Sequence, residues 1–314
     1  MILTVTLNAA LDVTYEIDAL VPHGSHRVRS VRERAGGKGV NVASVLACLG
    51  VPAMATGLLG GRTGAQITGD LDARALAHAF SSCAGASRQT VNVVSIADGD
   101  ATIFNEPGPT VTPGEWSAFV EDLAGLISRV GATVVVLSGS LPRGVPDDAY
   151  ARLVVVAQAA GARTIVDAEG IPLRCAAAAH PDVVKPNLAE LTAATGETDP
   201  VAGAAALRGH GALDVVVSLG GDGLLALPRD SRPLRARLRA RLSGNPTGAG
   251  DAMVAALAAG LASGRDWPSM LPDAVAWSAA AVLQPFAGAV DPADVARLAP
   301  DVEMEERDDA GRTR

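Results

Sequence analysis

Short valine-rich apolar runs alternate with helix-length stretches of alanine and leucine from about residue 130 onward. This rhythm is typical of βαβ units, because parallel strands are buried on both faces and show no polar alternation. With one further apolar run near the start of the chain, the pattern predicts strands at 2–7, 133–137, 163–167, 182–185 and 213–219. The chain should therefore fold as an α/β protein around a mostly parallel central sheet.

Helix signals accompany these runs. A Thr-Pro-Gly-Glu sequence at 112–115 fits a capping box with proline at the first helical position, so a helix should run from there to about residue 130. Another helix should follow Pro146. Apolar stretches predict further helices at 42–49, 250–261 and 273–284.

Two segments follow a different pattern. Residues 15–34 and 90–105 alternate loosely between apolar and polar side chains, and the second contains Asp98-Gly99, which is typical of a hairpin turn. We interpret them as strands of a small antiparallel lid, with lid segments at about 12–35 and 88–106 of a single domain covering 1–300. The charged, aperiodic segment 301–314 is expected to be a disordered tail.

Composition restricts the partners. With 314 residues, 48% of them hydrophobic, the chain can bury a large core. Its formal net charge of −8 argues against a nucleic-acid partner, because nucleic-acid-binding proteins usually carry a basic face. No apolar run reaches the roughly 18 residues that a membrane span requires, and the first residues form a strand pattern rather than a signal peptide. We therefore expect a cytoplasmic protein with no membrane partner.

Lysine is rare in this chain. Of 26 basic residues only Lys38 and Lys185 are lysines, and both lie in turns rich in glycine, proline or asparagine. One interpretation is that a bias in genome composition favours arginine over lysine and that these two lysines remain by chance. The other is chemical, since a compact ammonium fits a tight phosphate or hydroxyl site as a point charge.

Ligands of open α/β sheets bind beyond the carboxyl ends of the strands, so polar turns there are candidate sites. The turn at 243–251 opens into an apolar helix, where small residues let N–H groups face an anion and Asp251 lies in the first turn. An ordinary turn and helix cap would look the same. The turn at 35–41 also precedes a helix, but it is not a Walker A loop, and the chain contains no GxGxxG sequence.

Two further turns are weaker signals. The segment 185–190 places the amide of Asn187 near the carboxylate of Glu190, and such groups can hold a hydrated Mg²⁺ on a nucleotide. The segment 218–223 runs from a strand into a glycine-rich turn that fits either the edge of a nucleotide site or a plain hairpin.

Taken together, these turns resemble the PfkB (ribokinase-like) carbohydrate kinase family over about residues 1–296. The resemblance implies a ribokinase-like three-layer sandwich. It is greatest to the branch of 1-phosphofructokinases and tagatose-6-phosphate kinases, although Ala9 stands for the usual proline and Pro246 for the usual serine. It rests on five motifs in the family's order: Asn8-Ala9-Ala10-Leu11-Asp12, Gly36-Gly37-Lys38-Gly39-Val40-Asn41, Ser138-Gly139-Ser140-Leu141-Pro142, Lys185-Pro186-Asn187 with Glu190, and Asn245-Pro246-Thr247-Gly248-Ala249-Gly250-Asp251.

The resemblance implies transfer of the γ-phosphoryl group of ATP, with Mg²⁺, to fructose 1-phosphate, which gives fructose 1,6-bisphosphate. Asp251 would be the base, and the N–H groups of Gly248, Ala249 and Gly250 would face the transferring phosphoryl group. Asn187 and Glu190 would hold the metal through water. The implied sugar contacts are Asp12, Gly37, Lys38 and Asn41, and the implied nucleotide contacts are Lys185, Asn187, Glu190, Ser218, Gly220 and Gly223.

The phosphate on the acceptor needs its own cationic pocket, for which the candidates are Arg27 and Arg88, assisted by Ser138 and Ser140. Both arginines could instead be ordinary surface residues. Tagatose 6-phosphate and fructose 6-phosphate remain alternative acceptors, with the segment 104–109 favouring fructose 1-phosphate. A non-catalytic sugar-phosphate sensor is the alternative from another class. The family also suggests a homodimer formed through the lid.

Overall fold

The computed structural model describes residues 1–97 and 99–306 of the chain. Its strands form one large and one small sheet. They are β1 (Ile2–Thr6), β2 (Ala10–Ile17), β3 (Ser30–Gly36), β4 (Ala53–Leu59), β5 (His78–Ser82), β6 (Arg88–Ser95), β7 (Asp100–Asn105), β8 (Val134–Ser138), β9 (Arg163–Asp167), β10 (Val183–Val184), β11 (Asp214–Ser218), β12 (Leu224–Leu227), β13 (Leu234–Leu238) and β14 (Val302–Glu306).

The helices connect the strands and cover the large sheet. They are α1 (Lys38–Cys48), α2 (Gly61–Ala73), α3 (Pro113–Val130), α4 (Ala149–Ala159), α5 (Gly170–Ala177), α6 (Leu188–Thr195), α7 (Pro200–Gly209), α8 (Ala249–Ala262), α9 (Trp267–Val282) and α10 (Pro292–Leu298). The predicted capping box is present at the start of α3, where Thr112 and Glu115 each accept the other's main-chain N–H.

The large sheet has ten strands in the order β14-β13-β12-β11-β10-β9-β8-β1-β4-β5. Its strands are parallel from β5 across to β11 and antiparallel from β11 to β14. Each strand predicted for the central sheet belongs to this sheet, although the segment 182–185 is reduced to β10. The prediction of an α/β fold around a mostly parallel sheet is confirmed.

Two apolar cores explain why the central strands lack a polar face. On β8, Val135 and Leu137 pack into a core with α3, α4, α5 and α7. Val134 and Val136, which alternate with them, pack on the opposite face with α1, α8 and α9. The sheet is therefore the middle of three layers, and its strands run beneath helices on both sides.

The small sheet has the order β3-β2-β6-β7 and consists of strands from the two segments predicted to form a lid, and we refer to it as the lid. The β2–β3 and β6–β7 pairs are antiparallel, whereas the central β2–β6 pair is parallel. Gly99 lies in the turn between β6 and β7 with φ of +67°, while Asp98 lies outside the described residues. Because β3 ends at Gly36 and α1 begins at Lys38, the lid is joined directly to a turn of the candidate site.

The prediction of a disordered tail from residue 301 is wrong for Val302–Glu306. These residues form β14, which pairs antiparallel with β13 at the edge of the large sheet. Val302 and Met304 pack on the core, while Glu303 pairs with Arg237 and Arg239. The acidic residues that suggested disorder are thus one face of a short edge strand, and 307–314 lie outside the described residues.

Within residues 1–97 and 99–306, no helix combines the length and the apolar character needed to cross a membrane.

Candidate active site

The turn before α8 is held in shape by side chains and by a glycine. Asn245 Oδ1 accepts a hydrogen bond from the Thr247 N–H at 3.0 Å, and its Nδ2 donates to the Pro285 carbonyl at 3.3 Å. Gly248 has φ of +86°, and a Cβ on it would lie 2.8 Å from the Cα of Ala287. A side chain is therefore excluded here on both conformational and steric grounds.

Asp251 lies in the first turn of α8 and is only 7% exposed. Asn41 Nδ2, on α1, donates to its Oδ2 at 2.9 Å. Burial raises the pKa of Asp251 to about 7, and the negative charge of Asp167 adds to this effect, against the Asn41 hydrogen bond and the charges of Lys38 and Lys185. A carboxyl group with this pKa can take up and release a proton near neutral pH.

The two lysines of the chain meet at Asp167, the last residue of β9. Asp167 is 1% exposed, and its Oδ1 lies 3.2 Å from Lys38 Nζ and 3.4 Å from Lys185 Nζ. Burial by itself would raise the pKa of Asp167, but the charges of Lys185 and Lys38 outweigh it and hold that pKa below its usual value. No role is predicted for Asp167 from the sequence motifs, although its position at the carboxyl end of a predicted strand is a usable signal.

Both ammonium groups also face the start of α8. Lys185 is 3% exposed, and its Nζ lies 3.6 Å from the point where a Cβ on Gly250 would stand. Burial tends to lower the pKa of Lys38, but the carboxylates of Asp167, Glu190 and Asp251 together raise it. Two fixed cations and a helix N-terminus thus surround one region, which is an arrangement suited to phosphate groups.

Asn187 and Glu190 form the capping box of α6. Asn187 Oδ1 accepts from the Glu190 N–H and Glu190 Oε2 accepts from the Asn187 N–H, each at 2.8 Å. Glu190 Oε1 stays outside this box and lies 3.8 Å from Lys38 Nζ. The described residues contain no group of three or more His, Cys, Asp or Glu that could hold a metal ion. Mg²⁺ usually keeps several waters and needs only one or two carboxylates beside substrate phosphates, so these residues fit a hydrated ion.

Asp12, on β2, lies at the other end of the site. It pairs in register with Arg34 on β3 and with Thr90 on β6. Burial raises the pKa of Asp12 to about 6, against the charge of Arg88, a hydrogen bond with Thr90 and the charge of Arg34. A Cβ on Gly36 would lie 1.9 Å from Asp12 Oδ2, so the glycine lets this carboxylate lie against the start of the turn before α1.

Arg88, the first residue of β6, is held beside Asp12 by three acceptors. Its Nε donates to the main-chain carbonyl of Asn8 at 3.1 Å. Its Nη1 lies 3.3 Å from Thr90 Oγ1 and 3.5 Å from Asn105 Oδ1. The guanidinium group is therefore fixed before any ligand binds.

A cavity of about 870 Å³ joins these groups. Of the residues predicted from the sequence, only Arg27, Ser138 and Ser140 do not line it. The predicted residues that do line it are Asp12, Gly37, Lys38, Asn41, Arg88, Lys185, Asn187, Glu190, Ser218, Gly220, Gly223, Gly248, Ala249, Gly250 and Asp251.

The three exceptions differ in their surroundings. Arg27 is exposed on the segment between β2 and β3. Ser138 is buried at the end of β8, and its hydroxyl has no hydrogen-bond partner among the described residues. Ser140 is exposed, and its Oγ accepts from Asn8 Nδ2 at 3.1 Å.

One wall of the cavity was missed by the sequence analysis. It is apolar and comes from β13, the segment after it, and α9. Apolar residues at such positions give no signal that separates a ligand wall from core packing. Its main members are Leu238, Leu242, Val275, Ala279 and Val282.

The turn at 218–223 has a structural role as well as a place in the cavity. It joins β11 to the antiparallel β12 through a short 3₁₀ segment. Gly223 has φ of +83°, and a Cβ on it would lie 2.1 Å from the Ala236 carbonyl oxygen. The hairpin therefore requires this glycine whether or not a nucleotide binds beside it.

The chain is similar in sequence to proteins of known family. The model of pfkB family carbohydrate kinases matches residues 5–294. A protein of Xanthomonas campestris pv. campestris named 1-phosphofructokinase is 41% identical over 268 residues, which cover 82% of this chain and 83% of that protein.

Solved structures show the same fold. The Escherichia coli phosphofructokinase-2 structure in complex with potassium superposes with a TM-score of 0.89 at 31% identity, over 95% of this chain and 98% of that one. The Arabidopsis thaliana ribokinase structure complexed with ribose and ATP reaches a TM-score of 0.75 at 23% identity, over 95% and 98% of the two chains. At that identity the likeness concerns the fold alone, which is ribokinase-like.

Proposed function

The chain belongs to the pfkB family of carbohydrate kinases, and we propose that it transfers the γ-phosphoryl group of MgATP to fructose 1-phosphate, giving fructose 1,6-bisphosphate. The observation that carries the chemistry is the buried Asp251 carboxyl, whose pKa of about 7 suits a general base, at the N-terminus of α8 beside two lysines. The acceptor follows from the 41% identity to a protein named 1-phosphofructokinase.

At the acceptor end, Asp251 removes the proton of the reacting hydroxyl as the phosphoryl group arrives. Asn41 donates to Oδ2 of this carboxylate, and no donor among the described residues bonds Oδ1, which is available for the hydroxyl. Asp12 accepts a hydrogen bond from another hydroxyl of the sugar and thereby orients it. Closure of the lid over the sugar would exclude water and limit ATP hydrolysis.

At the nucleotide end, Lys185 and the first N–H groups of α8 stabilise negative charge on the phosphates. The Ala249 N–H donates to the Pro246 carbonyl at 3.2 Å, so its predicted contact with the phosphoryl group requires that hydrogen bond to open. The apolar wall from β13 and α9 offers a surface for the adenine ring. Ser218, Gly220 and Gly223 border the nucleotide.

Asn187 and Glu190 would hold Mg²⁺ through water, with Glu190 Oε1 as the oxygen that the capping box leaves available. When bound, the ion would neutralise charge on the phosphates during transfer. Lys38, which lies between Asp167 and Glu190, keeps a cation beside the same region. The donor groups of Asn187 and Glu190 therefore support the proposal that Mg²⁺ binds here.

A coupled assay with MgATP and fructose 1-phosphate, tagatose 6-phosphate or fructose 6-phosphate tests the proposed acceptor. Fructose 1-phosphate should have the highest kcat/KM. A higher value for either other sugar would overturn the choice of acceptor while leaving a sugar-phosphate kinase. Absence of turnover with all three would favour a non-catalytic sensor, against which the intact Asp251 and Glu190 argue.

The pH dependence of kcat/KM should follow the titration of the Asp251 carboxyl group. Its carboxyl must be deprotonated to accept the hydroxyl proton, so kcat/KM should rise with pH through about 7 and then level off, losing roughly tenfold per pH unit below that. Asp12, with a pKa of about 6, adds to the loss only at lower pH. A pH-rate profile measures this, and carbon NMR of labelled aspartate in the free protein should give the same midpoint. A flat profile between about pH 5.5 and 8 would contradict the assignment.

We also propose that the protein forms a homodimer through the lid, which exposes Val31, Ile96, Ile103 and Phe104. Ile103 and Phe104 are adjacent on β7 and face opposite sides of the sheet. Changing both to Asp should reduce the sedimentation mass from about twice 31.7 kDa to 31.7 kDa. Val155→Asp, at an exposed apolar position of α4, is the control and should leave the dimer intact. A monomeric parent protein would refute the proposal.

A further inference from the structure

Asn8 lies between β1 and β2 and is 6% exposed. Its Nδ2 donates to Ser140 Oγ at 3.1 Å and to the Pro107 carbonyl at 3.2 Å. One side-chain amide therefore joins two segments that are 132 and 99 residues away in the chain. The main-chain carbonyl of the same residue accepts from Arg88 Nε.

The segment 107–109 is fitted closely around Asn8. Gly108 has φ of +89°, and a Cβ on it would lie 2.1 Å from Asn8 Oδ1. Any other residue at 108 would have to displace the amide or the segment. This contact explains why a glycine stands at this point of the sequence, apart from its conformational freedom.

The direction of these hydrogen bonds leaves donors available for a ligand. Ser140 Oγ accepts from Asn8, and its own O–H has no acceptor among the described residues, so it can donate to a ligand at this exposed position. Arg88 uses Nε and Nη1 within the protein, and no acceptor for its Nη2 is present among the described residues. A hydroxyl donor and a guanidinium donor thus lie beside the same asparagine, and together they can bind an anion through charge-assisted hydrogen bonds.

We propose that Asn8 is the positioning residue of the acceptor's phosphate pocket, because it holds Ser140, the segment 107–109 and the peptide that fixes Arg88 in one arrangement. The inference rests on the proposed function, since the anion is taken to be the phosphate at the non-reacting end of the sugar. Asn8 itself does not touch the reacting atoms.

The experiment compares KM for fructose 1-phosphate with KM for MgATP and with kcat. Asn8→Ala should raise KM for fructose 1-phosphate about tenfold or more, because a prearranged charge-assisted site is lost, and should leave KM for MgATP and kcat within about twofold. Asn8→Asp keeps the shape but adds a negative charge and removes the donor, so the same KM should rise further. Gly108→Ala should act in the same direction through displacement of Asn8.

Two variants calibrate these effects. Arg88→Ala removes the guanidinium group and gives the size of the loss when a direct phosphate contact is absent. Thr164→Val removes a fully buried hydroxyl that bonds Asp182 at the opposite end of the sheet, so it reports on destabilisation alone. Calorimetric binding of fructose 1-phosphate to each variant adds a readout that does not depend on turnover.

Equal increases in both KM values, a fall in kcat alone, or the same change in Thr164→Val would overturn the positioning role. If Asn8→Ala does not fold, Gly108→Ala and Ser140→Ala decide the question with the same readouts. If the parent enzyme prefers another phosphorylated sugar, the proposed acceptor fails and the Asn8 comparison is made with that sugar. A preference for an unphosphorylated sugar would overturn both proposals.

Discussion

Replacing Asp251 with Asn should lower kcat by about two to four orders of magnitude, the usual contribution of a general base. Asparagine has nearly the same shape and can still bond Asn41, but it cannot accept the hydroxyl proton. Its loss should therefore affect the transition state and leave binding of MgATP largely intact. Steady-state kinetics with fructose 1-phosphate and calorimetric titration with MgATP measure the two quantities.

Asp199→Asn is a matched control for this substitution. Asp199 caps α7 through the Ala202 N–H and does not line the cavity, so its replacement should leave kcat unchanged. If Asp251→Asn keeps kcat within tenfold of the parent value, Asp251 is not the base. A large loss of nucleotide affinity would instead indicate that Asp251 acts mainly in binding.

Replacing Asp167 with Asn should destabilise the fold by about 3–5 kcal/mol, as expected when one partner of a buried ion pair is removed. The variant would leave the ammonium of Lys185, which is 3% exposed, and that of Lys38 without their shared carboxylate. Urea unfolding followed by circular dichroism measures the difference in the free energy of unfolding.

The difference in the free energy of unfolding between the parent and Asp167→Asn should depend on pH with a definite sign. Because the pKa of Asp167 is lowered in the folded protein, its contribution is present above its unfolded pKa of about 3.9 and is lost as pH falls toward the lower folded value. The stabilities of parent and variant should therefore differ fully at neutral pH and converge in acid. A difference that grows as pH falls below about 4 would contradict the ion-pair explanation.

Two further variants separate charge from packing at this position. Asp148→Asn breaks an exposed pair with Arg152 at 2.9 Å and should cost less than about 1 kcal/mol. Adding Lys185→Met to Asp167→Asn removes a stranded charge, so part of the lost stability should return. Equal losses in Asp167→Asn and Asp148→Asn, or no recovery in the double variant, would show that the buried charges are not the cause.

The lid and the sheet edges show how far local patterns predict this fold. The strands with valine-rich runs and the helix with a capping box lie where the sequence predicts them. Burial on both faces requires a continuous apolar run, and a capping box requires particular residue types at a fixed spacing, so both can be recognised in the sequence. β5, a half-exposed edge strand, and the four-residue β12 carry no such pattern. The prediction of disorder is wrong at β14 because the acidic face of this strand pairs with arginines of β13, which only the folded sheet provides.

The sequence by itself determined the turns of the site, the family resemblance and the residue types that meet there, since glycines, prolines and a helix start specify local backbone geometry. The tertiary structure alone decided which of these residues interact. Asn41 and Asp251 are 210 residues apart, and Lys38 lies 129 residues from Asp167. Parallel strands bring such distant ends together, and burial then sets the pKa of Asp251. A local sequence pattern predicts neither contacts between residues so far apart in the chain nor the burial of a particular carboxyl group.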